Sequence, residues 1–436
     1  MILNIYFRLL IYLSLWLLYI VFMSLYAPMG TSWIEWHYQR QINIIEFLKL
    51  QGYFSHYGFS ISSNIKDAYL NIEHPIYLSS LAILSSWHYF IISLLFGIEN
   101  LKLYGQLVDK TIIFITGCLF SELYLKLLKQ KNLKNLIKAF FLFFIFIITP
   151  WAYKMVIFPW SPIHFILFYL IGILLILKKK QKLGLLSIFF GSAIDYISAT
   201  AIGVFYIFTV AFFFFKKKVS LIQSYFFIKH NDKFINYKII TSLFLPFIIF
   251  MVLRLLAANE FKITDGSSLL TRIGISGNDD GNGSLLGALQ FLAGNRITVC
   301  FIGFSENWSF TSNLSQLGRI YNCILSLASI FLVSLISIFG LFISYKNRDS
   351  FFKLVIIPFL FLIISYTFIL QQSSSVHLVG YSYIFSILFS VGIVNLFFKI
   401  LEKNNFSVIS ILLAIPLIIG IVLLCIRVSM LTGING

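Results

Sequence analysis

The fold class predicted for this chain is an all-α polytopic membrane protein of about eleven transmembrane helices, N-terminus inside and C-terminus outside. Three observations predict it. Of 436 residues, 59% are hydrophobic and 11% charged, whereas soluble domains run at roughly 45–50% apolar and about 25% charged. The apolar residues fall in continuous runs long enough to span a bilayer, not in the alternation of a β-barrel. The lysines gather in short clusters between those runs. Disorder is excluded as well, because 49 Phe and 23 Tyr are what disordered segments lack.

The elements follow in order. The run 5–27 is too long for the core of a cleaved signal, about 7–15 residues, and reads as a retained first helix. Short loops rich in Lys and Arg stay in the cytoplasm. Four clusters qualify: Lys126 to Lys138, Lys178 to Lys182, Lys216 to Lys238, and Lys346 with Arg348 and Lys353; Lys399 with Lys403 forms a weaker fifth. Placing all of them inside predicts spans at 5–27, 107–126, 137–150, 161–178, 183–196, 198–215, 239–257, 321–344, 351–370, 380–399 and 406–428. The stretch 183–215 divides into two short helices because lysines flank it on both sides, which demands an even number of crossings. Asp195 marks the turn.

Only four acids, Glu122, Asp232, Asp349 and Glu402, accompany these inner lysines, so the net charge of +17 collects on one face. In a soluble protein that charge would suggest nucleic acid; here it sets orientation, and no nucleic-acid partner is expected. Residues 75–98 are long enough to span, but a crossing there would put the first lysine cluster opposite the second. They are therefore expected at the outer surface, with Trp87, His88 and Tyr89 at the interface. Two large extracytoplasmic loops result, 28–106 and 258–320. The chain divides into a module 1–215 and a C-terminal module 216–436. The four cysteines are scattered and form no disulfide framework.

Chemistry is expected in the outer loops. Ser32 or Thr31 can cap a helix from Trp33 to Leu50, which Gly52 stops. Glu35 lies in its first turn, directly after a span, beside Trp33, Trp36 and His37. A carboxylate at the membrane surface can take a proton from an alcohol. Equally, it can be an acid favoured by a helix N-terminus.

The acid after the first helix, Tyr38 three residues on, the helix ending in Gly52-Tyr53-Phe54, and His74-Pro75-Ile76-Tyr77 opening an apolar segment form a pattern that resembles the GT-C superfamily. These are integral membrane glycosyltransferases that use polyprenyl-phosphate-linked sugars. The resemblance covers about residues 1–215 and lies in layout more than in letters. It implies a first outer loop carrying surface helices and an essential acid, which here is Glu35. It also implies a polyprenyl-phosphate sugar donor and a glycan, lipid or protein acceptor.

Metal-dependent members carry acids in the second outer loop. The corresponding TPWAYKMVIFPWSPIH contains none, so no cofactor is expected with certainty and a divalent metal is doubtful. Lys154 in that loop can meet a lipid phosphate as a fixed cation, or snorkel to headgroups. Asp67, Glu73 and His74 are candidate sugar contacts or solvated loop charges. Asp195 either lines a cavity or caps a helix. His164 reads as a satisfied membrane histidine, and no histidine has metal-site spacing with Cys or Glu. Arg272, Arg296 and Arg319 in the second large loop are positioned to meet a phosphate or pyrophosphate, and His377, with Tyr381 at the outer end of a helix, is either a phosphate or sugar contact or part of a plain polar turn.

The expected function is transfer of a sugar from a polyprenyl-phosphate donor to a hydroxyl at the outer face of a membrane, most simply a bacterial inner membrane. Alternatives are a glycan polymerase or ligase of the O-antigen type, relying on Arg272, Arg296 and Arg319, and a flippase or transporter. The last predicts charged or broken helices at mid-membrane, whereas the interior runs carry almost no charge.

Overall fold

A computed structural model describes residues 5–26, 38–39, 41–46, 49, 83–128, 133–149, 152, 161–215, 233–261, 335, 338–343, 351, 355–369 and 384–403. Among these residues there is no strand; the fold is all-α. The elements are α1 (Ile5–Tyr26), a 3-10 turn (Ile83–Ser86), α2 (Trp87–Phe96), α3 (Leu101–Leu127), α4 (Leu133–Ile148), α5 (Ser161–Leu177), α6 (Gln181–Ile194), α7 (Tyr196–Phe215), α8 (Lys233–Phe261), α9 (Ile357–Ile369) and α10 (Ile384–Lys403).

The helices fall where the apolar runs predict them, with shifted ends. The span expected at 107–126 is a 27-residue helix beginning at Leu101, and it is the described helix long and apolar enough to cross a membrane. Described apolar stretches of 10–17 residues lie in α1, α2, α5, α6, α7, α8 and α10. The expected span 406–428 lies outside the described residues, as does most of 321–344.

Helices α1 and α3 pack antiparallel. Arg8 pairs with Glu122 at 3.3 Å, the Tyr12 hydroxyl meets Ser121 at 3.2 Å, Trp16 donates to Thr111 at 3.0 Å, and Lys110 donates to Ser24 at 3.2 Å. The same helix turns a second face outward: Leu9, Leu10, Leu13, Leu17, Leu18 and Val21 are exposed while Tyr12, Tyr19 and Met23 are buried.

Helices α5 and α6 also run antiparallel, and glycines set their spacing. A Cβ at Gly172 would stand 2.8 Å from the Gly184 carbonyl, and one at Gly184 would stand 2.7 Å from the Gly172 carbonyl. The two backbones touch, as small residues permit. The turn between them closes on Lys179, with φ 63°, while the Lys180 N–H reaches back to the Leu175 carbonyl at 2.9 Å. That is the bonding of a left-handed C-terminal cap, with lysine where glycine is usual.

Where they are described, residues 75–98 hold a short helix, in keeping with a segment that does not cross, but two of its aromatic residues are not placed at the interface. Helix α2 is ten residues, too short to cross a membrane, and His88 and Tyr89 are buried against α3 instead of facing headgroups. The reason is Asp109 on α3, a buried carboxyl group that needs donors; α2 supplies two of them.

Candidate functional site

The donors around Asp109 come from two elements. Helical residues 38–39 and 41–46 bury Tyr38, Gln41, Ile44 and Ile45, the spacing of one helix face. This segment docks on α2: Ser86 donates to Gln41 at 2.7 Å, and Lys49 reaches the Ser93 carbonyl at 3.5 Å. Its Tyr38 hydroxyl donates to Asp109 Oδ2 at 2.7 Å. From α2, the Tyr89 hydroxyl donates to the same oxygen at 2.7 Å, and His88 Nε2 lies 2.9 Å from Oδ1.

Gly105, one turn before Asp109 on α3, makes room for the rings. A Cβ there would sit 2.8 Å from the Tyr38 ring and 3.1 Å from the Tyr89 ring. The two tyrosines meet edge to face, and both hydroxyls converge on one carboxylate oxygen.

The fourth wall is α5. His164 lies against His88 with ring centroids 4.5 Å apart, and its Nδ1 accepts from Trp87 Nε1 at 3.2 Å. Trp87 also packs edge-on against Phe168 and Phe190. His88, Asp109 and His164 are all at least 97% buried. The ligating atoms of His88, Asp109 and His164 lie within 4.8 Å of one another, so these three residues can hold a metal ion.

The hydrogen bonds define the proton positions of the ion-free cluster. Asp109 accepts from Tyr38, Tyr89 and His88, so the His88 proton sits on Nε2. Its Nδ1 is then a buried acceptor, and it has no partner among the described residues. His164 accepts at Nδ1, so its proton sits on Nε2. The cluster presents one carboxylate held by three donors and two imidazoles side by side. Chemically, such a set can hold or relay a proton, or trade hydrogen bonds for a cation.

Of the residues singled out in the sequence, Tyr38 joins this cluster directly. Asp195 takes its other reading, a helix cap: buried between α6 and α7, it accepts the Ser198 hydroxyl and the backbone N–H groups of Ile197 and Ser198. The α5–α6 register, with Phe168 opposite Ser187 and Phe165 opposite Gly191, puts that turn at the level of His164. Glu35, Asp67, Glu73, His74, Lys154, Arg272, Arg296, Arg319 and His377 lie outside the described residues.

Asp109, His88 and His164 were not among the expected site residues. The reading that interior runs carry almost no charge is corrected here, since Asp109 and Lys110 are both buried within the expected span 107–126. That pair was itself the available signal, because an ionisable residue in an apolar span marks a functional position. Comparison of the chain with protein-family models, curated proteins and solved structures finds no match.

Proposed function

We propose that this chain is a multi-pass membrane glycosyltransferase of GT-C-like layout, working at the outer face of a bacterial inner membrane. A sugar arrives on a polyprenyl phosphate. Glu35 deprotonates the acceptor hydroxyl, and basic groups from Lys154, Arg296, Arg319 or His377 stabilise the departing phosphate. The phosphate is a good leaving group, so base and charge stabilisation suffice without a covalent intermediate.

The observation that carries this reading is the bond from Tyr38 to Asp109. It ties Tyr38, three residues after Glu35 in the sequence, onto the helix bundle. An acid close in sequence to a residue held in a polar cluster is what supports proton abstraction from a sugar or lipid hydroxyl in this reading. The outward apolar faces support the multi-pass reading, because side chains such as Leu9, Leu13 and Leu17 on α1 and Ile248, Val252 and Leu255 on α8 need a lipid solvent.

Purified protein supplied with polyprenyl-phosphate sugars and membrane-derived acceptors is expected to transfer sugar. Glu35→Gln is expected to lower the rate on the order of 100-fold or more. Transfer at the wild-type rate by that variant would remove the proposed base.

Asp109 and Lys110 favour a second reading, a lipid-linked sugar transporter or flippase. Buried charge within a helix long enough to cross a membrane is what a substrate or proton path uses. Reconstituted liposomes separate the two: translocation of lipid-linked sugar without any transfer, lost in Asp109→Asn, would select the transporter.

A further inference from the structure

We infer that His88, Asp109 and His164 form a binding site for one divalent transition-metal ion of the zinc class. This inference does not rest on the transferase reading. The donor set decides the class of ion: two imidazoles and one carboxylate oxygen suit zinc and its neighbours, whereas magnesium and calcium require shells of oxygen. All three ligating atoms lie within 4.8 Å of one another, from three separate helices.

The geometry around them is that of an ion site before loading. Two ligands each 2.0–2.1 Å from a tetrahedral zinc stand about 3.3 Å apart. His88 Nε2 and Asp109 Oδ1 are 2.9 Å apart, so the pair opens by only a few tenths of an ångström to admit the ion. The second carboxylate oxygen is already engaged by the Tyr38 and Tyr89 hydroxyls, which leaves Oδ1 as the single ligating oxygen. Hydrogen bonds that orient a ligating carboxylate in this way are a regular part of metal sites.

The protons have somewhere to go. When the ion takes His88 Nε2, the ring proton moves to Nδ1, a buried atom with no partner among the described residues, so the move breaks no bond at Nδ1 but leaves a buried N–H to be satisfied. A further cost falls on His164, whose Nδ1 is held at 3.2 Å by the Trp87 indole N–H. Ligation shifts the His164 proton or displaces the indole, and either way breaks that contact. Trp87 therefore competes with the ion, while Asp109 and the tyrosines support it.

The test uses the full chain in lipid nanodiscs, affinity tag removed, stripped with chelator and titrated with Co²⁺, then with Zn²⁺ in competition. The expected result is one Co²⁺ per chain with a visible absorption band of low-symmetry nitrogen–oxygen ligation, displaced by Zn²⁺. Asp109→Asn and His164→Ala are expected to weaken binding about 10- to 100-fold. Trp87→Phe is expected to tighten it several-fold. Absence of the band, or Asp109→Asn binding as the wild type does, overturns the site. Should Asp109→Asn fail to fold, Trp87→Phe decides: unchanged or weaker binding overturns the inference.

Discussion

Asp109 is the most demanding residue in the described structure. A carboxyl group 2% exposed inside a helix is tolerated only where donors surround it, and Tyr38, Tyr89 and His88 do so. Each tyrosine bond to that carboxylate contributes about 1.5–3 kcal/mol. Tyr38→Phe and Tyr89→Phe are therefore expected to lower thermal stability by that order, read as the unfolding midpoint of purified protein in detergent. Because both act on one oxygen, the double variant should depart from the sum of the singles. Additive effects of the two substitutions would mean that the hydroxyls do not share a single acceptor. Gly105 is tied to the same centre, since any larger side chain there meets both rings.

At the scale of elements, two features of α5 and α6 carry predictions of opposite sign. The Gly172–Gly184 contact has no room for a side chain, since a Cβ at Gly172 would also meet Ile188 at 2.5 Å. Gly172→Leu is expected to separate the helices and abolish recovery of a monodisperse protein in size-exclusion chromatography; normal yield and elution would disprove the backbone contact. In the turn that follows, Lys179 holds a left-handed backbone that favours glycine. Lys179→Gly is expected to raise stability by about 0.5–1 kcal/mol, seen as a higher unfolding midpoint.

The sequence made these elements legible and left the cluster hidden, for physical reasons. Apolar runs bounded by lysines mark where helices lie, so α1, α5, α6 and α7 begin and end within a few residues of expectation. Helix ends are less visible: α3 starts at Leu101, because the charged and polar residues Lys102, Gln106 and Asp109 mask its first turns in a hydropathy pattern. His88, Asp109 and His164 stand 21 and 55 residues apart, so no spacing motif joins them. Of the cluster, sequence could show only Asp109, which with Lys110 forms a charged pair in an apolar run. Asp195 was legible only as a choice between cavity and cap, since the deciding hydroxyl of Ser198 reaches it through local geometry.

At the scale of the described molecule, the polar cluster lies far along α3 and α5 from the Arg8–Glu122 pair and from the lysines of the 178–180 turn. On α3, Asp109 and Glu122 are thirteen residues apart, about 20 Å at 1.5 Å per residue, and Glu122 pairs there with Arg8. On α5, His164 is fourteen residues, about 21 Å, from the exposed lysines of the 178–180 turn. Under the proposed multi-pass reading, in which lysine-rich short loops stay inside, this polarity directs the Asp109 cluster outward, and the proposed chemistry with it.

That orientation is the claim on which the account stands, and cysteine accessibility measures it. In a background with Cys118, Cys300, Cys323 and Cys425 replaced, Glu99→Cys reports on the turn leading into α3, and Lys180→Cys on the opposite end. In intact cells a membrane-impermeant maleimide is expected to label Glu99→Cys at once, and Lys180→Cys only after permeabilisation. Labelling of Lys180→Cys from outside, with Glu99→Cys protected, would contradict the account.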